Sequence, residues 1–144
     1  MGVHSQIYQE EGERDLWDKL KQKFQPSSET AISCKIGILP NCAVETLTHF
    51  DKISQGESFT LVHAGSGLGR CYLPVADTPD KLKQLRDYCE NHQGFLTILT
   101  SPASLKQNLE PWGYNGNALE IMRKLKDQFD TKNILSPGRF VGGI

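Results

Sequence analysis

The sequence has little that would commit it to a membrane, a metal or a nucleotide. None of its apolar runs approaches the roughly 20 residues that cross a bilayer. The opening, Met1-Gly2-Val3-His4-Ser5-Gln6, has no basic stretch followed by an apolar one, so no secretion signal is expected. The 16 Lys and Arg are scattered among 17 Asp and Glu, for a net charge of −1. That balance excludes a general electrostatic pull toward nucleic acid or anionic lipid. The four cysteines, Cys34, Cys42, Cys71 and Cys89, form no CxxC pair, and their expected role is that of small reduced hydrophobes. His4, His49, His63 and His92 never stand at HxH or HxxxH spacing, so no metal site is expected. A GxxxxGK[ST] phosphate loop and a GxSxG elbow are both missing. These absences predict a soluble, cytoplasmic chain with no membrane span and no nucleic-acid partner.

What is present is a regular alternation of short elements. Residues 1–12 are polar and aperiodic and are expected to be disordered or a linker remnant; residues 13–144 are expected to form one domain. Leu16, Trp17, Leu20 and Phe24 share one face of a predicted helix near 13–24, ended by Pro26. From Thr30 to Leu39, Ile32, Cys34, Ile36 and Ile38 alternate with smaller or polar residues, the period of a strand with one buried face. Val44, Leu47 and Phe50 predict a helix to about Ser54, stopped by Gly56. Strands are predicted at Ser58–Ala64, Arg70–Val75 and Phe95–Thr100. Thr78-Pro79-Asp80 reads as a helix start, Leu82, Leu85 and Cys89 as its inner stripe, and Gly94 as its C-cap.

The order strand, helix, strand, strand, helix, strand predicts an α+β fold: a ferredoxin-like βαββαβ antiparallel sheet with both helices on one face. An N-terminal helix precedes it. A C-terminal helix near Asn117–Phe129, with Ala118, Met122, Leu125 and Phe129 on one side, and an extended tail follow it.

The segment Gly65-Ser66-Gly67-Leu68-Gly69 is GxGxG followed by a strand, whereas dinucleotide sites need GxGxxG opening a helix. It is read as a hairpin turn. His63, at the end of the strand before it, is the histidine singled out as a catalytic or ligand candidate.

The tail is distinctive. It contains Trp112-Gly113, Leu125-Lys126, Phe129-Asp130, Ile134-Leu135, Pro137-Gly138-Arg139-Phe140 and Gly143-Ile144. This phrase resembles the end of FAD-linked oxidases of the vanillyl-alcohol oxidase type, closest to the glycolate oxidase FAD-binding subunit that lacks the main catalytic site. The likeness is specific over residues 111–144 and extends loosely over 13–144. Two departures stand out. Thr131 and Ser136 replace the family's proline and asparagine. In His63-Ala64-Gly65-Ser66-Gly67-Leu68-Gly69-Arg70, which looks like a degraded "HaGdGNlH", Ser66 and Arg70 replace an acid and a second histidine.

The resemblance implies a substrate-side cap domain of an FAD-dependent 2-hydroxy-acid oxidase or dehydrogenase, with glycolate the expected substrate. The chain would not be active by itself. FAD would belong to the parent protein and be held by a separate FAD-binding domain, with sibling glycolate oxidase subunits as further partners. In the whole oxidase the flavin would take the hydride from the substrate's α-carbon. Arg70, Ser136, Gly138 and Arg139 would lie on the substrate or flavin side, with Arg70 or Arg139 suited to a carboxylate. The competing expectation is a non-catalytic module that helps assemble a multi-subunit oxidase.

Overall fold

Ile32, Cys34 and Ile36 point to one side of β1 (Ala31–Gly37) and lie fully inside the protein. Around this strand the computed structural model builds its sheet; it describes residues 6–23, 31–74, 78–106, 109–114 and 116–144. The chain divides into two compact units, Met1–Pro111 and Trp112–Ile144.

In the first unit, α1 (Glu10–Lys23) precedes β1. A 3-10 turn at Pro40–Cys42 leads into α2 (Ala43–Ser54), followed by β2 (Phe59–Val62), β3 (Leu68–Pro74), α3 (Thr78–Asn91), β4 (Phe95–Thr100) and the short α4 (Ala103–Lys106). The four strands lie in the order β2-β3-β1-β4, with every pairing antiparallel. The fold is therefore α+β. Phe50 from α2 and Leu82, Leu85 and Cys89 from α3 close over Ile32, Cys34, Ile36, Cys71, Leu73 and Leu96. Both helices thus cover the same sheet face. Stripping such area from water is the main favourable term in folding, at about 25 cal/mol per Å2.

The β4 bounds match the expectation, and the other strands run shorter or shifted by a few residues. Period two understates β1: Ala31 and Ser33, on its second face, are buried as well. At the other end of that face the ring of Phe95 lies across Gly37, its register partner, where an added Cβ would fall 2.2 Å from the ring. Gly94 is not the left-handed cap of α3. Gln93 takes the positive φ of 58°, and Gly94 is required because a Cβ there would lie 2.2 Å from the Gly37 carbonyl oxygen. The first helix starts at Glu10, inside the stretch expected to be disordered, and buries no residue: Leu16 and Leu20 are half-buried and Trp17 is exposed. Phe24, Pro26 and Met1–Ser5 lie outside the described residues.

The second unit holds α5 (Leu119–Phe129) and a 3-10 turn at Val141–Gly143. The side of α5 used within the structure is Leu119, Met122 and Lys126, all half-buried. Leu125 and Phe129, expected on the inner stripe, are exposed together with Ile121. The tail is not extended. It is a succession of turns, with positive φ at Asn133, Ser136, Gly138, Gly142 and Gly143.

Candidate functional site

The glycine segment forms the turn between β2 and β3. The His63 carbonyl accepts the Ser66 and Gly67 amides at 3.2 and 2.9 Å, and the His63 amide donates to the Leu68 carbonyl at 2.8 Å. Gly67, at φ 69°, passes so close to the chain before the 3-10 turn that its carbonyl accepts the Ile38 amide at 3.0 Å.

His63 is exposed, and its ring is tied into this turn. The Ser66 amide donates to Nδ1 at 3.2 Å. The Ser66 hydroxyl accepts the Leu68 amide at 3.3 Å, leaving its own proton for Nδ1 at 2.9 Å. Assigned from this network, Nδ1 is an acceptor and the ring proton sits on Nε2. The lone pair that a general base needs is occupied inside the turn. His63 therefore presents an N–H donor outward rather than a free base.

Arg70 stands on β3, directly opposite Leu61 on β2 and Lys35 on β1. Strand alternation puts Phe59 and Leu61, Arg70 and Tyr72, and Lys35 on the face away from the two helices. Leu61, Leu68 and Phe95 are exposed there beside the two cations. No Asp or Glu occurs on any of the four strands. Neither Lys35 nor Arg70 has an ion pair or hydrogen bond to a described residue, whereas Lys21, Lys81, Arg86, Lys124 and Lys126 each meet a carboxylate. Sequence reasoning missed Lys35. The available signal was a single charge at an interior position of an otherwise apolar or small-residue strand.

Ser136, Gly138 and Arg139 fall in the other unit, all exposed. The Arg139 amide donates to the Ser136 carbonyl at 3.2 Å across Pro137-Gly138, with Gly138 at φ 72°. Proline followed by a glycine of positive φ is the type II pattern. The turn is held by Asp130, whose carboxylate accepts the Ile134 and Leu135 amides, both at 2.9 Å. It also pairs with Lys126 at 2.5 Å, one helical turn back on α5. Lys126 closes the ring by donating to the Leu135 carbonyl at 2.5 Å. The Lys126 hydrogen bond, aided by the two amides, holds the Asp130 carboxyl below the usual carboxylate range. Trp112 and Phe140 meet edge to face at 5.4 Å. Most of the distinctive tail residues thus shape the chain rather than project chemistry.

On the helical side, His49, Tyr88 and His92 stack, with ring centroids 4.0 and 4.2 Å apart. His49 and Tyr88 border an open cleft of about 580 Å3 between α2 and α3 that also touches Lys52, Gln84 and Asp87. Burial, with Lys52 and His92 nearby, pushes the His49 imidazole below its ordinary value. Among the described residues no group of three His, Cys, Asp or Glu could hold a metal ion, and no helix is long and apolar enough to cross a membrane.

A flavin diphosphate does not fit the glycine turn. The amides that would cradle it, those of Ser66 and Gly67, already donate to His63, and a strand rather than a helix N-terminus follows. No protein-family model, curated protein or solved structure matches the chain.

Proposed function

We propose that this chain is the substrate-side cap domain of an FAD-dependent 2-hydroxy-acid oxidase or dehydrogenase, incomplete without a flavin-binding half. Its first unit would be the ferredoxin-like sandwich expected of such a cap. The βαββαβ element order and the sheet order β2-β3-β1-β4 support that reading. The observation that carries the functional part is the sheet face whose strands carry no Asp or Glu, where Arg70 and Lys35 stand among apolar side chains with no ion pair to a described residue. Set over the reacting groups of a larger enzyme, such a face excludes water and orients an anionic substrate, with the outward Nε2–H of His63 as a further donor. FAD would be held by the other half, and sibling oxidase subunits remain candidate partners.

A second reading, a non-catalytic assembly module, draws on α5, which turns Ile121, Leu125 and Phe129 outward at one-turn spacing. One titration separates the two. FAD fluorescence and the visible spectrum are followed with the chain alone and then with a matching flavin-binding half. The cap reading expects no change alone and an altered flavin spectrum with the partner. Tight binding of FAD by the chain alone would sink it. Association without any spectral change would favour the assembly module.

A further inference from the structure

Lys35 and Arg70 are register partners on adjacent central strands, so their Cβ atoms are held about 4.5–5.5 Å apart on the same face. Like charges placed directly opposite destabilise a sheet. A surface lysine can swing away, yet the chain carries 17 carboxylates and places none on the strands around this pair. Leu61 faces Arg70 from β2, while Leu68 and Phe95 are exposed on the same end of the sheet. Exposed apolar side chains thus flank the two cations.

We propose that Lys35 and Arg70 form a two-cation site on the open end of the sheet and that it takes a short dicarboxylate. A guanidinium already satisfies one carboxylate through a bidentate pair. A monocarboxylate would leave Lys35 uncompensated, whereas a second carboxylate removes the repulsion between the two cations. Lysine suits that second place, because a point charge on a flexible stem adapts to the spacing between the two groups. Single-stranded nucleic acid is disfavoured: the chain is net negative, and beyond Lys35 and Arg70 the cation found at this face, Lys23, is engaged by the Phe59 ring at 5.0 Å. The inference rests on the proposed function only in calling the dicarboxylate a substrate; the binding itself belongs to this chain.

The test is a titration of the full 15N-labelled chain with malonate, succinate, glycolate and sulfate at low salt. The amides of Lys35, Arg70, Leu61 and Tyr72 should shift and saturate with succinate or malonate. The affinity should exceed that for glycolate by about tenfold, the worth of one charge-assisted hydrogen bond. Lys35→Met should erase the preference for dicarboxylates over glycolate measured on the same variant, Lys35→Arg should keep it, and Arg70→Met should abolish binding of both. Equal affinities for glycolate and succinate would overturn the proposal. So would sulfate binding as tightly as succinate, or an oligouridylate shifting the same amides at lower concentration. Because no flavin enters the assay, a chain that binds succinate yet fails to perturb a flavin-binding half loses its cap assignment and keeps this site.

Discussion

Gly67 and Ile38 are locked back to back: the Ile38 amide donates to the Gly67 carbonyl at 3.0 Å, and a Cβ added at Gly67 would lie 1.9 Å from the Ile38 carbonyl oxygen. That contact holds the β2–β3 turn, with His63 and Ser66, against the chain leaving β1. Gly67→Ala should combine a left-handed backbone with a clash against backbone, costing about 2–4 kcal/mol. Gly138→Ala makes the control: φ is similar at 72°, but nothing lies within 4 Å, so only the backbone strain of about 1–2 kcal/mol is expected. Urea unfolding of the two variants checks this. Equal midpoints would show that the Ile38 contact contributes nothing.

Ser136 holds φ 48° at the start of the type II turn, a conformation that asparagine and glycine tolerate better than serine. Ser136→Gly or Ser136→Asn should stabilise the tail by about 0.5–1 kcal/mol. Slower hydrogen exchange at Arg139, whose amide closes the turn, would register the gain. Faster exchange would mean that the serine hydroxyl contributes something the backbone angle does not reveal.

Asp130 sets an acid limit on the tail. Its carboxyl is held below the usual value, chiefly by Lys126 and then by the Ile134 and Leu135 amides. A depressed folded-state value stabilises the structure above the unfolded carboxyl pKa of about 3.9 and stops doing so as pH falls through the lower folded value. The Ile134 and Leu135 amides should therefore stay protected at pH 5 and lose protection below about pH 4. Asp130→Asn should be less protected at neutral pH and nearly flat with pH. A wild-type profile equally flat down to pH 2 would contradict the ring of contacts.

Thiol chemistry should be silent at three of the four cysteines. Burial pushes Cys71 up to about 11 and Cys89 up to about 12, and raises Cys34 further still. All three are enclosed in the core, while Cys42 is half-buried at the end of the 3-10 turn. A disulfide reagent at pH 8 should titrate one thiol in the native protein and four in denaturant. Two or more fast thiols would place an opening in the core.

The core is the most legible part of the sequence. Alternation exposes Ile32, Cys34 and Ile36, and helical spacing exposes Leu82, Leu85 and Cys89, because burial on one side leaves a period. What escapes are contacts without a period. Gly94 looks like a helix cap because glycine at a helix end usually is one; its real constraint is the Gly37 carbonyl, a neighbour only after the sheet has formed. Leu125 and Phe129 read as inward because apolar residues usually are, yet Lys126 and Asp130 hold the inner side through an ion pair that hydropathy cannot register. Lys35 shows in the sequence only as a lone charge inside a strand; that Arg70 stands opposite it is a fact of register.

Ile121, Leu125 and Phe129 on α5, with Ile134 and Leu135 just beyond, give the tail the character of a detergent. At high concentration the chain should crowd air–water interfaces, brighten apolar dyes and occupy chaperones. Its time in solution would then be set by how much of it there is rather than by how well it folds. Light scattering that stays flat as concentration rises would show that the tail hides these side chains by itself.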